Sequence, residues 1–303
     1  MKEQICAVVV TYNRKELLME CLYALKNQTY PLEGIYIIDN ASTDGTSNLL
    51  LENKYIKELP PQQLDAPLEK EYLISREDKI NIKVYYVRMN ENTGGSGGFY
   101  EGMKRAYENG YDWIWVMDDD ATPKLNALEE LVKFKDSSLS AIASVVLKRS
   151  TNEVDLGHRR VFNRITLKAV PVSIDKYQEK YFYFNLFTYV GTLVNSKAIK
   201  SYGLTDKSFF IYFDDYDHSL RLSKYGKMIC VTSSHILHGP KFQSNIKNTV
   251  DYKAYYGMRN RILVLKHYGN SFTFFAYVQY IRLRNYAAEV QGKEESGADE
   301  KLC

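Results

Sequence analysis

Three consecutive carboxylates, Asp118, Asp119 and Asp120, directly follow an apolar run over residues 113–117. The apolar run predicts a buried strand. Like charges at a strand end are costly unless a cation lies among them, and hard oxygen ligands suit Mg²⁺ or Mn²⁺. We therefore predict that Asp118 and Asp120 flank a divalent cation that holds a diphosphate. These residues alone leave a second interpretation open, an acidic turn that caps the helix predicted from Leu125.

A second acidic group lies where an aromatic run, residues 209–213, turns into a predicted helix. Asp214 fits the N-cap of this helix, and Asp217 lies three residues later, where a capping-box partner belongs. Asp215 has neither of these capping roles. It lies in the first turn of the helix, where we expect the helix dipole to keep it ionised. A carboxylate over a cleft can take a proton late in a transfer reaction, so Asp215 is the predicted general base.

A histidine further along the chain is a candidate for another metal ligand. His238 precedes Gly239 and Pro240, and we predict that it lies in a loop where it could ligate the same metal as the triplet. A single histidine is more commonly an ordinary surface or core residue, so this assignment depends on the rest of the chain.

A glycine-rich stretch, residues 92–99, leads into a predicted helix. Free N–H groups at a helix N-terminus suit an anion, so Asn92, Gly94 and Gly95 are candidates to approach a diphosphate. The stretch is not G-x-G-x-x-G, since Tyr100 stands where the third glycine would fall, and the chain has no Gly-Lys-Ser/Thr. These departures disfavour a dinucleotide dehydrogenase and a P-loop kinase. Close backbone packing against the sheet, without a ligand, stays open as the alternative.

The elements that must position these residues alternate between strand and helix. Apolar runs predict strands over residues 5–10, 34–38, 82–88, 113–117 and 141–148. The alternation predicts an α/β fold, a Rossmann-like and mostly parallel sheet flanked by helices, with ligand contacts on the loops. We assign residues 1–240 to this catalytic domain, residues 52–80 to an exposed and partly helical insertion, and residues 150–180 to irregular chain.

Composition narrows the class of protein. The chain has 303 residues, is 45% hydrophobic and carries a net charge of +3, which gives no reason to expect nucleic acid as a partner. Its four cysteines (Cys6, Cys21, Cys230, Cys303) have no paired spacing and are predicted to be reduced thiols. No signal-peptide pattern and no run of 18 apolar residues is present, so we expect a cytoplasmic location.

Aromatic residues are abundant, with 26 tyrosines and an aromatic run over residues 181–189. Most of these rings are predicted to lie in a core strand. Phe187 and Tyr189 are candidates to stack on an acceptor sugar, because an aromatic face suits a sugar ring. Asp217 is a further candidate for acceptor contact.

The C-terminal part has a different character. From Lys241 to Asn285 eight basic residues stand against one acidic residue, Asp251, and aromatic residues interleave. The mixture predicts that residues 241–288 form helices lying on an anionic membrane surface, at the inner face of the plasma membrane. Packing of these helices on the catalytic domain is the alternative. Residues 289–303 are polar and predicted to be disordered.

Four motifs together resemble those of the family 2 glycosyltransferases. They are Val8-Val9-Val10-Thr11-Tyr12-Asn13-Arg14, Ile38-Asp39-Asn40-Ala41-Ser42-Thr43-Asp44-Gly45-Thr46, the triplet Asp118-Asp119-Asp120, and Asp214-Asp215-x-Asp217-x-x-x-Arg221. The glycine-rich stretch with the three-aspartate triplet is most similar to the bacterial galactofuranosyltransferase and rhamnosyltransferase branch. The resemblance, which covers residues 4–260, implies the GT-A fold and inversion at the anomeric carbon.

The resemblance also implies a role for each matching position. Asp39 would accept a hydrogen bond from the uracil or thymine N3–H, beside Thr11 in the nucleoside pocket. Arg88 and the loop of Asn92 would approach the diphosphate. Asp118, Asp120 and His238 would hold Mn²⁺ or Mg²⁺, and Asp215 would be the base. The nucleotide-sugar site as a whole would comprise Thr11, Tyr12, Asn13, Arg14, Asp39, Arg88, Asn92, Gly94, Gly95, Asp118 and Asp119.

The implied function is transfer of a sugar from a nucleotide donor to a glycan or lipid-linked acceptor in bacterial surface polysaccharide synthesis. UDP-galactofuranose is the favoured donor, with dTDP-rhamnose or another UDP-hexose as alternatives, and an oligomer is left open. Two other classes of protein stay in view. A sugar-phosphate nucleotidyltransferase would carry a glycine-rich loop after the first strand, where this chain has Thr11-Tyr12-Asn13. A non-catalytic carbohydrate-binding protein would not need Asp120, Asp215 and His238 together.

Overall fold

The structure, a computed structural model, describes residues 3–239 and 252–290, without the side chains of residues 285 and 287–290. Its strands are β1 Ile5–Thr11, β2 Gly34–Asp39, β3 Leu68–Ser75, β4 Asn81–Arg88, β5 Trp113–Asp118, β6 Thr122–Pro123, β7 Ala141–Lys148, β8 Arg159–Asn163, β9 Lys168–Pro171, β10 Tyr181–Phe184, β11 Leu186–Phe187, β12 Thr192–Asn195 and β13 Met228–His238. Its α-helices are α1 Lys15–Lys26, α2 Thr46–Glu52, α3 Gly94–Glu108, α4 Ala127–Val132, α5 Ser196–Tyr202, α6 Asp214–Leu222, α7 Tyr252–Tyr268 and α8 Ser271–Val290.

One large mixed sheet organises the fold, in the order β10-β13-β7-β12-β5-β1-β2-β4-β3, with β6 paired to β13. Strands β5, β1, β2 and β4 form a parallel block. Antiparallel strands lie on both sides of this block, β3 at one end and β12 at the other. The predicted α/β architecture, a sheet flanked by helices, is confirmed. Because parallel strands end at the same edge, the loops after β1, β2, β4 and β5 lie together there.

The apolar runs form the centre of the sheet because helices cover both of its faces. Every residue of β1 is buried, as expected for a parallel strand covered on both sides. Helices α1, α2 and α4 pack on one face through residues such as Leu22, Leu50 and Leu128. Helices α3, α5 and α6 pack on the other. Cys6, Cys21 and Cys230 are buried free thiols within this core.

Glycine lets α3 lie close to the sheet. A Cβ atom on Gly98 would collide with Val10 of β1, so the alternative of close backbone packing is correct for this part of the glycine-rich stretch. Gly94 has φ +71°, a conformation that favours glycine. Gly95 faces open space, so it stays available to a ligand.

Two sequence predictions on secondary structure are wrong. Residues 52–80 contain the edge strand β3 rather than helix, and Tyr72 and Ile74 of this strand are buried in the core. Residues 150–180 are not irregular, because β8 and β9 form a small antiparallel sheet with β11. The strands in both segments are only partly buried, so their apolar signal is weaker than that of the continuous apolar runs at the sheet centre.

The predicted C-terminal helices are present as α7 and α8. They pack on the catalytic domain through a separate apolar cluster that joins Val264, Leu265 and Tyr268 of α7 to Phe209 and Leu220. The alternative of packing is therefore correct for their buried face. None of the helices in the described ranges combines the length and apolar character that a bilayer-spanning segment needs. Residues 240–251 and 291–303, part of the predicted membrane segment and most of the predicted disordered tail, lie outside the described residues.

Candidate active site

The carboxyl end of β5 brings together the three predicted metal ligands. One ligand atom from each of Asp118, Asp120 and His238 lies within 4.8 Å of the others. His238 Nε2 lies 3.2 Å from Asp120 Oδ1. The set offers two carboxylates and one imidazole, donors that suit a divalent cation of the Mg²⁺ or Mn²⁺ type.

Strand pairing places His238 beside the triplet. The short strand β6 follows the triplet and pairs with the end of β13, with Pro123 opposite Ile236 and Thr122 opposite Leu237. His238 is the last residue of β13, so the prediction of a loop is wrong. The sequence does not reveal the end of β13, because polar residues such as Ser233 and Ser234 interrupt its apolar pattern where the pairing with β7 shifts register, between Val231 and His235.

The electrostatics of the group show an excess of negative charge. Burial and then the charge of Asp120 raise the pKa of Asp118 to about 8. Burial alone would raise the pKa of Asp120, but the adjacent imidazole and Arg14 hold it below its ordinary value. Burial would lower the pKa of His238, but Asp120 outweighs burial and raises it.

The residues present fit a metal ion. Asp120 Oδ1 is buried and makes no hydrogen bond, although a nitrogen of His238 lies nearby. A buried oxygen without a hydrogen-bond partner is rare in folded proteins. The unsatisfied oxygen, the raised pKa of Asp118 and the donor set are together consistent with a divalent cation bound by Asp118, Asp120 and His238.

Asp119 points away from this group. It accepts a hydrogen bond from Thr11 Oγ1 at 2.7 Å, and Arg14 Nη1 lies 3.3 Å from its Oδ1 and 3.2 Å from Asp120 Oδ2. Burial raises the pKa of Asp119 to about 6, against the opposing charge of Arg14. These contacts tie the triplet to the end of β1. The predicted contacts of Thr11, Arg14 and Asp119 with a nucleotide stay predictions.

Asp39 is fully buried at the end of β2. Its carboxylate accepts hydrogen bonds from Tyr86 Oη and Arg88 Nη1, both at 2.7 Å, and from the Ser42 backbone N–H at 2.8 Å. Arg88 therefore pairs with Asp39 in the described structure. The predicted contacts of Asp39 with a base and of Arg88 with a diphosphate stay predictions.

Asn40, which sequence reasoning did not single out, joins the loops after β2 and β4. Its Nδ2 donates to Asn92 Oδ1 at 3.0 Å and to the Gly94 carbonyl at 2.9 Å, while its Oδ1 accepts from Thr93. The loop after β1 joins the same region, because Asn13 Oδ1 accepts from the Thr43 backbone N–H at 2.7 Å. The Tyr12 side chain is exposed beside it. Tyr12, Asn13, Asn92, Gly94 and Gly95 thus lie on mutually bonded loops, as their predicted shared site requires.

Arg149 is a second residue that the sequence did not reveal. Its guanidinium donates to the Asp120 carbonyl at 2.9 Å, to Thr122 Oγ1 at 2.7 Å and to the Gly239 carbonyl at 3.1 Å. Its Nη1 also pairs with Glu20 of α1 at 2.8 Å. Arg149 therefore holds the turn after the triplet against the end of β13. No spacing signal links a single arginine after β7 to the triplet, which explains why the sequence did not identify it.

Three carboxylates, Asp214, Asp215 and Asp217, lie in the first turn of α6, as the sequence indicated, but their roles differ from the prediction. The N-cap is Phe213 rather than Asp214, and Asp214 is the first helical residue. Burial raises the pKa of Asp214 to about 6. Burial and then the charges of Asp214 and Asp118 raise the pKa of Asp215 well above its usual range. These influences oppose the helix dipole, which was predicted to keep Asp215 ionised.

The three predicted acceptor contacts are wrong. Asp217 is buried and accepts hydrogen bonds from Arg221 Nε at 2.8 Å and Tyr268 Oη at 2.6 Å, so it is neither a capping partner nor an open acceptor site. Phe187 and Tyr189 are buried in the core and present no free face to a sugar. The phenol of Tyr189 instead bonds His218 Nδ1 at 2.8 Å.

Comparison with protein families identifies the class of this chain. The family model described as Glycosyl transferase family 2 matches residues 6–59 and 70–200, more than half of the chain. Residues 60–69 lie between the two matched ranges. The chain is 27% identical over 245 residues to galactofuranosyltransferase GlfT1 of Mycolicibacterium smegmatis, covering 77% of this chain and 70% of that protein.

A second relative carries a different sugar in its name. The dolichyl N-acetyl-alpha-D-glucosaminyl phosphate 3-beta-D-2,3-diacetamido-2,3-dideoxy-beta-D-glucuronosyltransferase of Methanococcus voltae is 24% identical over 277 residues, covering 88% of this chain and 75% of that protein. Among solved structures, that of GalNAc-T7 with UDP, GalNAc and Mn²⁺ superposes with a TM-score of 0.61 at 14% identity. The match covers 87% of this chain and 48% of that one. This likeness shows the shared fold.

Proposed function

Because this chain belongs to glycosyl transferase family 2, we propose that it transfers a sugar from a nucleotide donor, with UDP-galactofuranose the favoured one, in a metal-dependent and inverting reaction. The observation that carries this proposal is the group Asp118, Asp120 and His238 at the carboxyl end of β5. The name of the relative GlfT1 supports galactofuranose as the sugar. The acceptor that we propose is a glycan or a lipid-linked glycan in bacterial surface polysaccharide synthesis.

The chain's own residues divide the chemistry between them. A cation held by Asp118, Asp120 and His238 would neutralise the charge that develops on the leaving diphosphate. In the transfer step the bond from the anomeric carbon to the diphosphate oxygen breaks as the bond to the acceptor oxygen forms. The proton of the acceptor hydroxyl passes to Asp215, whose raised pKa brings it closer to the operating pH and makes it a stronger base than an ordinary aspartate.

Donor choice is testable with a panel of nucleotide sugars. The second relative's name, with its glucuronosyl sugar, makes the sugar the open part of the proposal. We expect nucleotide release from UDP-galactofuranose to exceed UDP release from UDP-galactopyranose and UDP-glucose, and dTDP release from dTDP-rhamnose, by about tenfold or more, since a pocket that pairs sugar hydroxyls rejects analogues that leave its polar groups unpaired. The measurement is nucleotide release with alkyl glycosides as acceptors. Faster turnover of dTDP-rhamnose would reassign the donor.

The C-terminal helices support a second part of the proposal, peripheral attachment to the inner face of the plasma membrane. Helices α7 and α8 carry six Lys or Arg residues and a single acidic residue, Glu289. Five side chains of α8 are at least 60% exposed and fall within an arc of about 140° at 100° per residue. They are Phe272, Phe275, Tyr280, Leu283 and Tyr286. An exposed aromatic stripe on a basic helix pair suits an anionic lipid surface.

Replacing part of this stripe should release the protein from membranes. We expect the combined Phe272→Ser, Phe275→Ser and Leu283→Ser variant to lose most co-sedimentation with vesicles of phosphatidylglycerol and phosphatidylcholine at low salt, since each buried apolar side chain contributes roughly 1.5–3 kcal/mol. A matched control carries Leu59→Ser, Leu73→Ser and Leu125→Ser, three exposed leucines elsewhere. Wild-type binding should also weaken as salt rises. Equal vesicle binding by wild type and the stripe variant would overturn this part of the proposal.

A further inference from the structure

The loop that leads into α6 has a strained backbone. Phe210, Tyr212 and Phe213 have φ values of 64°, 64° and 66°. Aromatic residues rarely adopt this left-handed region, and such residues persist only where surrounding contacts hold them. The loop ends at the N-cap of α6, so its conformation sets where Asp214 and Asp215 project.

One buried side chain of α7 holds this loop. Asn260 is fully buried, and its Nδ2 donates to the carbonyls of Phe209 at 2.9 Å, Ile211 at 2.8 Å and Tyr212 at 2.9 Å. Buried carbonyl groups need such donors, because leaving them unpaired is costly. No other side chain in the described ranges is shown donating to the Ile211 or Tyr212 carbonyl. Asn260 therefore pairs with three carbonyl groups of this loop, and Arg259 Nη2 also donates to the Phe209 carbonyl at 3.2 Å.

Neighbouring contacts fix the loop at two other points. The Ser96 backbone N–H, in the first turn of α3, donates to the Phe210 carbonyl at 3.1 Å. At the C-terminal end of α7, Tyr268 Oη donates to Asp217 Oδ1 of α6 at 2.6 Å, just after the loop. Helix α7 thus contacts the base-bearing segment before Asp215, through Asn260, and after it, through Tyr268.

We propose that Asn260 is a positioning residue for the catalytic base, so that α7 is part of the catalytic unit rather than only an attachment to it. The proposal rests on the proposed function in one respect, the assignment of Asp215 as base. Asn260 acts through the backbone of residues 209–213 and does not touch the triplet. Its loss should therefore slow transfer without weakening nucleotide binding.

The test compares Asn260→Leu, which removes the donor at similar size, with Val264→Ala, which weakens the packing of α7 but leaves the loop bonds in place. Val264 is buried in the apolar cluster that also contains Phe209, and its side chain donates no hydrogen bond to the loop. Four quantities are measured: melting temperature, UDP affinity in Mn²⁺, kcat, and hydrogen exchange of backbone amides 210–217. We expect Asn260→Leu to lower kcat by about tenfold or more, raise exchange in this loop and leave UDP affinity unchanged. Val264→Ala should lower the melting temperature with kcat unchanged.

Three outcomes would overturn the proposal. Wild-type kcat in Asn260→Leu, or an equal loss of kcat in Val264→Ala, would overturn the proposal. Asn260→Asp removes the same donor at the same shape and serves where the leucine variant does not fold; failure of both to fold would make Asn260 a folding residue and also overturn it. Failure of the proposed function is distinguishable, because the wild-type protein would then turn over no nucleotide sugar, while loop exchange would still report on Asn260.

Discussion

Replacement of Asp120 by alanine is expected to abolish sugar transfer while the fold stays intact. Asp120 contributes the buried oxygen that lacks a hydrogen bond, and its charge raises the pKa of both Asp118 and His238. Without it two of three proposed ligands remain, and the excess charge of the group is lower. We expect turnover to fall by at least about 1,000-fold, which corresponds to about 4 kcal/mol of transition-state stabilisation.

The measurement pairs turnover with metal binding. Titration calorimetry with Mn²⁺ and UDP should show weakened binding in Asp120→Ala, and the melting temperature in the absence of metal should stay close to that of the wild type. Asp65→Ala is the matched control, because Asp65 is an exposed aspartate in the 60–69 gap of the family match. Full turnover by Asp120→Ala, or equal loss in Asp65→Ala, would contradict the assignment.

Asp215→Asn is expected to leave nucleotide binding unchanged and to slow transfer by at least about 100-fold, in line with general-base contributions. The change keeps size and removes the proton acceptor. Asp215 is half-buried, and its Oδ1 accepts from the Tyr216 backbone N–H at 2.8 Å. The negative charge of Asp118 is among the causes that raise the pKa of Asp215. Transfer rate and UDP affinity, measured on the same preparation, check this prediction.

The neighbouring carboxylate provides the contrast. Asp214 is buried and lies at the first position of α6, so Asp214→Asn should affect stability more than transfer. If Asp214→Asn is inactive while Asp215→Asn transfers at the wild-type rate, the base is Asp214. The pH profile is a second readout. The base acts in its deprotonated form and its pKa is raised, so the rate should fall with decreasing pH at a higher pH than an ordinary aspartate would give.

The central sheet and the triplet could be predicted from sequence because both depend on local patterns. Continuous apolar runs identified β1 and β5, and three adjacent carboxylates after β5 indicated a cation. Strand β3 was not predicted, because its sequence is charged and alternating and only part of one face is buried. An edge strand that is buried on only part of one face gives a weak apolar signal, so its sequence predicts an exposed insertion.

The supporting residues could not be predicted because their roles depend on long-range pairing. Asn40, Arg149 and Asn260 each bond backbone groups of distant segments, and a single polar residue in the sequence carries no sign of such partners. The roles of Phe187 and Tyr189 could not be predicted either. An aromatic side chain suits both a sugar-binding surface and a core, and these two side chains are buried. Composition predicts that rings are present, while tertiary packing decides which of them face solvent.

Metal-dependent sugar transfer is tested most directly by UDP release from UDP-galactofuranose, with the full chain and an alkyl glycoside acceptor. Release is measured in Mn²⁺, after addition of excess EDTA, and after Mn²⁺ is restored. Asp118, Asp120 and His238 offer a compact set of ligands with excess negative charge. We expect UDP release in Mn²⁺, loss of release in EDTA, and recovery of release when Mn²⁺ is restored. Release at an undiminished rate in excess EDTA would contradict it.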